Sequence, residues 1–131
     1  MFVTDTHALV WYATQKRSKL SRSVVTVFEK ANNGEVTISI PSIVLFEIAM
    51  LERDGEISLD EGFLNWARKL RKKSGFLFEE LTPEIAPYST GFKFNTDPFD
   101  RIIVATAIEL DLPLITKDVA ITESSLVEVY W

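Results

Sequence analysis

Cysteine is absent from this chain of 131 residues, and histidine occurs once, as His7. Without cysteine the protein forms no disulfide and offers no thiolate to a metal ion, and one histidine cannot build a multi-histidine zinc site. Carboxylates are therefore the practical anionic ligands for a metal, and they suit hard cations such as Mg²⁺ or Mn²⁺. The lack of cysteine is also compatible with a reducing cytoplasm, where we expect the protein to be located.

Long hydrophobic runs and excess positive charge are absent as well. No apolar stretch approaches the roughly 20 residues of a membrane span, and the first residues lack the cationic and hydrophobic segments of a secretion signal. We therefore expect no interaction with a membrane. The net charge of −5 argues against broad electrostatic attraction to nucleic acid and leaves room for a local basic lip.

The chain has few glycines and prolines, five of each, and 47% apolar residues, which predicts one compact domain over residues 1–131. Apolar runs and helical periodicity alternate along it without internal repeats. The predicted strands are 1–4, 35–40, 76–81, 112–116 and 126–130. The predicted helices begin just after residue 5 and at 22–31, 43–53, 60–74, 84–91, 98–111 and 119–123. Strands separated by helices imply a parallel sheet of four to five strands between two helical layers, a three-layer α/β/α domain.

The segment 97–100 predicts the start of a largely buried helix. Pro98 suits the first helical position, where its missing N–H is no loss, so Asp97 is the expected N-cap. Asp100 then falls in the first turn, where capping and the helix dipole already favour an acid. Taken alone, this segment predicts only the start of a helix. The other acids of the chain suggest that Asp97 and Asp100 also belong to a functional site.

Two further acids follow predicted strands. Asp5 ends the strand 1–4, and Asp118 comes after the strand 112–116. In open α/β sheets, ligands bind outside the carboxyl ends of strands, but an acid at this position also caps the helix that follows. On local grounds both explanations remain open for each residue.

Glu47 is the acid with the weakest structural explanation. Its neighbours three and four positions away on the predicted helix 43–53 are Ile43, Val44, Met50 and Leu51. We therefore expect its carboxylate on an apolar, buried face, where an unpaired charge is costly. It must then take up a proton, pair with an arginine or a backbone donor, or bind a cation.

Together, these acids predict one acidic crevice, because helix N-termini and strand carboxyl ends lie along one edge of a parallel sheet. Like charges so close together raise one another's pKa unless a cation neutralises them. Mg²⁺ or Mn²⁺, held by oxygen ligands and water, would resolve the repulsion and activate a water for attack on a phosphodiester. We therefore expect a metal-dependent phosphodiesterase whose metal-binding and catalytic residues are Asp5, Glu47, Asp100 and Asp118.

Four segments resemble, in order and separation, the four motifs of PIN-domain ribonucleases and, more narrowly, of the VapC toxins of toxin–antitoxin pairs. The segments are 5–11 (DTHALVW), 43–48 (IVLFEI), 97–107 (DPFDRIIVATA) and 114–118 (LITKD). The resemblance implies a PIN-like fold, Mg²⁺- or Mn²⁺-dependent endoribonuclease activity on RNA, and frequent homodimerisation. It also implies a cognate antitoxin whose tail covers the acidic pocket.

Carried over to this chain, the resemblance assigns metal binding to Asp5, Glu47 and Asp100. Asp118 matches a fourth acid whose use varies within the family. Asp97 precedes the core position, and we interpret it as a cap or an auxiliary acid.

The resemblance also implies auxiliary roles for residues that are not acids. Thr6 and Thr116 match small hydroxyl positions that hold a carboxylate or a metal-bound water, and Arg101 either pairs with a neighbouring acid or steers phosphate. The basic end of the predicted helix 60–74 satisfies the helix dipole or contacts RNA phosphates.

Other functions remain open at this point. A haloacid-dehalogenase-type phosphohydrolase also uses an acidic pocket, but it needs a second Asp two residues after the first, where this chain has His7. A receiver-type signalling domain would want an acceptor Asp after the strand 35–40, which ends instead in Pro41 and Ser42. A non-catalytic PIN-like module would keep the fold and bind a partner without cleaving RNA.

Overall fold

The computed structural model describes all residues, 1–131, as seven α-helices and five short β-strands. The strands are β1 (Phe2–Thr4), β2 (Ile38–Pro41), β3 (Phe76–Glu79), β4 (Leu114–Ile115) and β5 (Val129–Tyr130). The helices are α1 (Thr6–Ala13), α2 (Arg22–Asn32), α3 (Ser42–Arg53), α4 (Gly62–Arg71), α5 (Ile85–Gly91), α6 (Pro98–Leu110) and α7 (Val119–Ser124). A short 3₁₀ turn, Arg17–Lys19, lies between α1 and α2. None of the helices has the length and apolar character needed to cross a membrane.

All five strands run parallel in the order β3-β2-β1-β4-β5, and the predicted three-layer α/β/α architecture is confirmed. Strand β1 is central, because Val3 pairs with Ser39 of β2 on one side and with Leu114 of β4 on the other. The chain extends from β1 through β2 and β3 in one direction, and through β4 and β5 in the other. The crevice beyond the carboxyl ends of β1 and β4 is therefore the topological switch point, where open α/β sheets bind ligands.

The inner strands of the sheet form the centre of the core. Val3, Ile38, Ile40, Leu114 and Ile115 are completely buried. A parallel sheet covered by helices on both faces requires such apolar strands, because neither face meets water. Removing this apolar surface from water provides the main driving force for folding.

The strands are shorter than the sequence pattern predicts. Strand β2 begins at Ile38 rather than at Glu35, and β4 contains only Leu114 and Ile115. The short central strand β1 pairs with β4 at just these two residues, which limits how far β4 extends. A residue pattern reflects burial and β propensity, whereas the end of a strand depends on its partner.

Helix α4 is also shorter than the predicted 60–74. Gly62 has φ +76°, a left-handed conformation that glycine adopts at little cost, so residues 60–61 form a turn before the helix. After the helix, Gly75 admits no side chain, because a Cβ atom would lie 1.9 Å from the carbonyl oxygen of Ala31. This close approach of two backbones lets β3 begin directly against the end of α2.

Candidate active site

An open cavity of about 380 Å³ lies at the switch point, and five of its nine lining residues are acids. The lining residues are Asp5, Thr6, His7, Trp11, Glu47, Asp97, Asp100, Lys117 and Asp118. They come from four separate parts of the chain, which the sheet topology brings to one edge. The four acids predicted as metal ligands all lie on this cavity.

Asp5 follows β1 directly and also caps α1. Its Oδ1 accepts a hydrogen bond from the backbone N–H of Ala8 at 2.8 Å, so the capping and site explanations apply to the same carboxylate. Burial is the main cause that raises the pKa of Asp5, and the charge of Asp118 adds to it. Hydrogen bonds from Thr116 and Ala8 act in the opposite direction without cancelling the shift.

The start of α6 agrees with the sequence prediction. Asp97 is the N-cap, with its Oδ1 accepting a hydrogen bond from the N–H of Phe99 at 2.9 Å, and Pro98 occupies the first turn. The helix is buried over residues 103–107. The first turn of α6 thus presents its acids to the cavity while the following turns anchor the helix in the core.

Asp100, in the first turn of α6, lies within the influence of three other acids of the cavity. Its pKa is raised to about 6; partial burial is the largest cause, followed by the charges of Asp97, Asp118 and Glu47. The side-chain amide of Asn95 donates a hydrogen bond to Oδ2 of Asp100 at 2.9 Å and partly offsets these effects. Acids that follow β4 and lie on α3 therefore raise the pKa of an acid on α6.

Asp118 follows β4 and caps α7. Its Oδ1 accepts a hydrogen bond from the N–H of Ile121 at 2.9 Å, and its own N–H donates to the Thr116 hydroxyl at 3.1 Å. These bonds fix the turn between β4 and α7. The same residue contributes a negative charge to the cavity, where it raises the pKa of Asp5 and of Asp100.

Glu47 is less buried than its apolar neighbours predict. The buried residues of α3 are Val44 and Ile48, so the core-facing stripe of the helix lies one residue away from Glu47, which is only partly exposed at the cavity wall. The expectation of a fully buried carboxylate is therefore wrong. The three ion pairs of the structure join other residues, so no arginine neutralises Glu47.

Two of the predicted auxiliary residues, Thr6 and Arg101, differ in where they lie and what they contact. Thr6 lines the cavity, and its buried hydroxyl has no hydrogen-bond partner within the protein. Arg101 makes no ion pair, so its predicted pairing with an acid is wrong, whereas the alternative role of steering phosphate stays a prediction. Instead, its Nε donates to the backbone carbonyl of Asn95 at 2.7 Å, which holds in place the residue that contacts Asp100.

The carboxylates share one cavity without forming a closed ligand shell. No three Asp, Glu or His side chains lie close enough together to hold a metal ion in this conformation. Carboxylates of like charge repel one another at short range, and a cation between them offsets that repulsion. The backbone thus brings the acids to one place, whereas their convergence on one point requires side-chain rotation.

Trp11 and Lys117 also line the cavity, although the sequence alone does not mark them as site residues. Each belongs to a segment that carries a site acid: Trp11 lies in α1 after Asp5, and Lys117 directly precedes Asp118. The position of Trp11 in the second turn of α1 could have indicated that it reaches the same edge. His7 is exposed at the rim, with its ring centroid 5.7 Å from that of Trp11.

Comparison with known proteins gives a family match over nearly the whole chain. The PIN domain family model matches residues 2–123. Ribonuclease VapC22 of Mycobacterium tuberculosis (strain ATCC 25618 / H37Rv) is 30% identical over 116 residues, which cover 87% of this chain and 84% of that protein.

Solved structures share the fold at lower sequence identity. The VapBC2 structure of Rickettsia felis, bound to a promoter DNA fragment, has a TM-score of 0.69 at 16% identity. The matched region covers 98% of this chain and 96% of the Rickettsia chain. A toxin–antitoxin complex from Klebsiella pneumoniae has a TM-score of 0.62 at 20% identity, and the matched region covers 90% of this chain and 87% of the Klebsiella chain. The family match, supported by this likeness of fold, shows that the chain belongs to the PIN-domain family.

Proposed function

We propose that this chain is a divalent-metal-dependent endoribonuclease and the toxin of a toxin–antitoxin pair. The observation that carries the proposal is the meeting of Asp5, Glu47, Asp100 and Asp118 at one cavity on the switch point of the sheet. The 30% identical relative, named as a ribonuclease, supports RNA as the substrate. The structural neighbour from Klebsiella pneumoniae, a toxin–antitoxin complex, supports the regulatory context.

The donor set of the cavity fits Mg²⁺ or Mn²⁺. Carboxylate oxygens are the ligands that these hard cations prefer, and the chain offers no thiolate. Burial and neighbouring negative charges raise the pKa of Asp5 and Asp100, and a divalent cation would reverse that effect. The unpartnered hydroxyl of Thr6 adds a polar group that can bind a water or a phosphate oxygen.

The role of the protein in catalysis is to position the carboxylates. When bound, a divalent ion lowers the pKa of water and offsets the charge that develops on phosphate oxygens. Hydrogen bonds hold three of the four acids: the backbone N–H of Ala8 donates to Asp5, the side-chain amide of Asn95 to Asp100 and the backbone N–H of Ile121 to Asp118. Glu47 has no such anchor and is free to rotate toward a cation. Asp97 serves as the cap of α6 and as an auxiliary negative charge.

An exposed apolar groove between α3 and α4 supports the antitoxin as a protein partner. The groove has a volume of about 480 Å³, and Phe46 and Leu64 on its walls are 56% and 57% exposed. Arg68 and Arg71 also line it. Exposed apolar surface rimmed by charge is typical of protein interaction sites, and this rim would complement an acidic segment. A homodimer and a cytoplasmic location are part of the same proposal.

The test is incubation of the purified chain, free of antitoxin, with mixed RNA in Mg²⁺, in Mn²⁺ and in EDTA. We expect cleavage only with metal, and loss of cleavage in Asp5→Asn and Asp100→Asn. Asp60→Asn, which changes an exposed Asp outside the cavity, is the matched control.

Other outcomes would replace the proposal. RNA that remains intact under all conditions would favour the non-catalytic PIN-like module. Hydrolysis of phosphomonoesters with intact RNA would favour the phosphohydrolase of haloacid-dehalogenase type. Equal activity of wild type and Asp100→Asn would show that the acidic cavity is not the active site.

A further inference from the structure

We infer that Lys117 and Lys19, gathered around Trp11 beside the acidic cavity, form a basic lip that binds RNA phosphates next to the scissile bond. The inference rests on the proposed function for the identity of the ligand. Within the lip, the lysines contact phosphate, and Trp11 is the positioning residue that holds their ammonium groups.

The geometry of the lip is a cation–aromatic cluster. Nζ of Lys117 lies 4.8 Å from the ring centroid of Trp11 and 5.9 Å from that of Trp131. Nζ of Lys19 lies 5.5 Å from the same Trp11 ring. Both distances to Trp11 are within the range at which a tryptophan ring attracts a cation. A single side chain at the cavity thus collects two positive charges from distant parts of the chain.

The unusual feature of Lys117 is that it remains unpaired in acidic surroundings. It precedes Asp118 directly and lines a cavity with five acids, yet none of the three ion pairs of the structure includes it. Lys19 also takes part in none of these ion pairs. Because aromatic rings hold these ammonium groups, their N–H donors are available to a ligand from solution.

A phosphate chain is the ligand that this arrangement suits. The protein has a net charge of −5, and the cavity carboxylates repel any polyanion that approaches them. RNA that enters the cavity therefore needs positive charge beside the acids, and ammonium groups are effective phosphate binders. The other basic cluster, around Arg68 on α4 and Lys72 just after it, lines a separate cavity without site acids and cannot serve this purpose.

The test compares RNA binding by Lys117→Gln and Lys30→Gln, which remove the same charge from the lip and from an exposed position on α2. Both changes are made in the Asp100→Asn background to keep the RNA intact. Binding of a short fluorescein-labelled single-stranded RNA is measured by anisotropy in Mg²⁺ over a range of KCl concentrations. We expect Lys117→Gln to raise Kd about three- to tenfold and to reduce the slope of log affinity against log salt by about 0.7, while Lys30→Gln changes neither.

Trp11 variants test the positioning role. Trp11→Leu removes the ring and should weaken RNA binding in the same direction as Lys117→Gln, whereas Trp11→Phe keeps an aromatic face and should restore most of the affinity. A purely structural role for Trp11 would instead lower the thermal unfolding midpoint of both variants and leave the salt slope unchanged. In the active wild-type background, Lys117→Gln should raise KM with little change in kcat.

The inference fails if Lys117→Gln and Lys30→Gln bind RNA with the same affinity and salt slope. It also fails if Lys72→Gln, at the end of α4, weakens binding more than Lys117→Gln, because the RNA would then bind along the other basic cluster. A chain that binds RNA through Lys117 but does not cleave it in Mg²⁺ or Mn²⁺ would overturn the proposed nuclease activity and leave the lip in place.

Discussion

The charge of Asp118, after β4, raises the pKa of Asp100, in the first turn of α6. The two acids influence each other because α6 begins and β4 ends at the same edge of the sheet. Their proximity costs free energy in the metal-free protein and provides affinity for a divalent cation. The same relationship therefore leads to predictions for stability and for catalysis.

Replacing Asp100 with Asn should stabilise the metal-free protein near neutral pH. The folded protein raises the pKa of Asp100 from its usual 3.8 to about 6, so the folded state binds this proton more tightly than the unfolded state. The resulting stabilisation is complete below about pH 4 and is lost as the pH rises through about 6. In EDTA near pH 7 we expect a gain of about 1 kcal/mol, since solvent screening at this half-exposed group reduces the full effect of the pKa shift.

Urea denaturation at several pH values measures this gain. It should disappear near pH 4, where the wild-type carboxyl is protonated. Asp60→Asn, at an exposed position, serves as the control. A gain in the free energy of unfolding that is equal near pH 4 and near pH 7 would show that the electrostatic explanation is wrong.

Replacing Glu47 with Gln should abolish cleavage and leave the fold intact or more stable. One fewer carboxylate relieves repulsion in the metal-free state, and no arginine depends on Glu47 for a partner. Thermal unfolding with and without Mg²⁺ provides the measurement, because binding to the folded state raises the midpoint. The Mg²⁺-dependent rise should be smaller in Glu47→Gln than in wild type. A large fall in the midpoint of the metal-free variant would instead indicate a structural role.

Glu52, on the same helix as Glu47, should show the opposite behaviour. Its carboxylate accepts hydrogen bonds from the N–H groups of Phe63 at 2.8 Å and Leu59 at 3.3 Å, and thereby holds the start of α4. Glu52→Ala should lower the free energy of unfolding by about 1–2 kcal/mol. Below its unfolding transition, kcat should remain unchanged, whereas Glu47→Ala should lose kcat. Loss of kcat in both variants would mean that α3 affects catalysis as a unit.

Replacing Asp97 with Asn should separate capping from charge. Asn is as good an N-cap as Asp, so the hydrogen bond to Phe99 is preserved while the negative charge is removed. Because the charge of Asp97 raises the pKa of Asp100, we expect that pKa to fall in the variant, as an NMR titration of the Asp100 carboxyl in EDTA would measure. Cleavage should persist. Its complete loss would show that Asp97 binds the metal rather than assisting.

Local residue patterns predict what depends on neighbours along the chain. The N-cap Asp97 and the first-turn Pro98 follow from their side chains and are found where the sequence places them. The partners of Arg101 and the burial of Glu47 do not follow in this way. Arg101 contacts the backbone of Asn95 because the loop before α6 folds back, and Glu47 is partly exposed because the core-facing stripe of α3 passes through Ile48. Both outcomes depend on how elements pack, which periodicity does not encode.

The sequence by itself determined the class of the fold and the identity of the acids, because apolar strands, amphipathic helices and caps are encoded within a few residues. Only the tertiary structure decided which side chains meet. The placement of β1 between β2 and β4 brings Asp5 and Asp118 to one crevice, and it sets Lys117 against Trp11 rather than against a neighbouring carboxylate. Contacts between distant segments depend on strand order and helix packing, and these are properties of the whole chain.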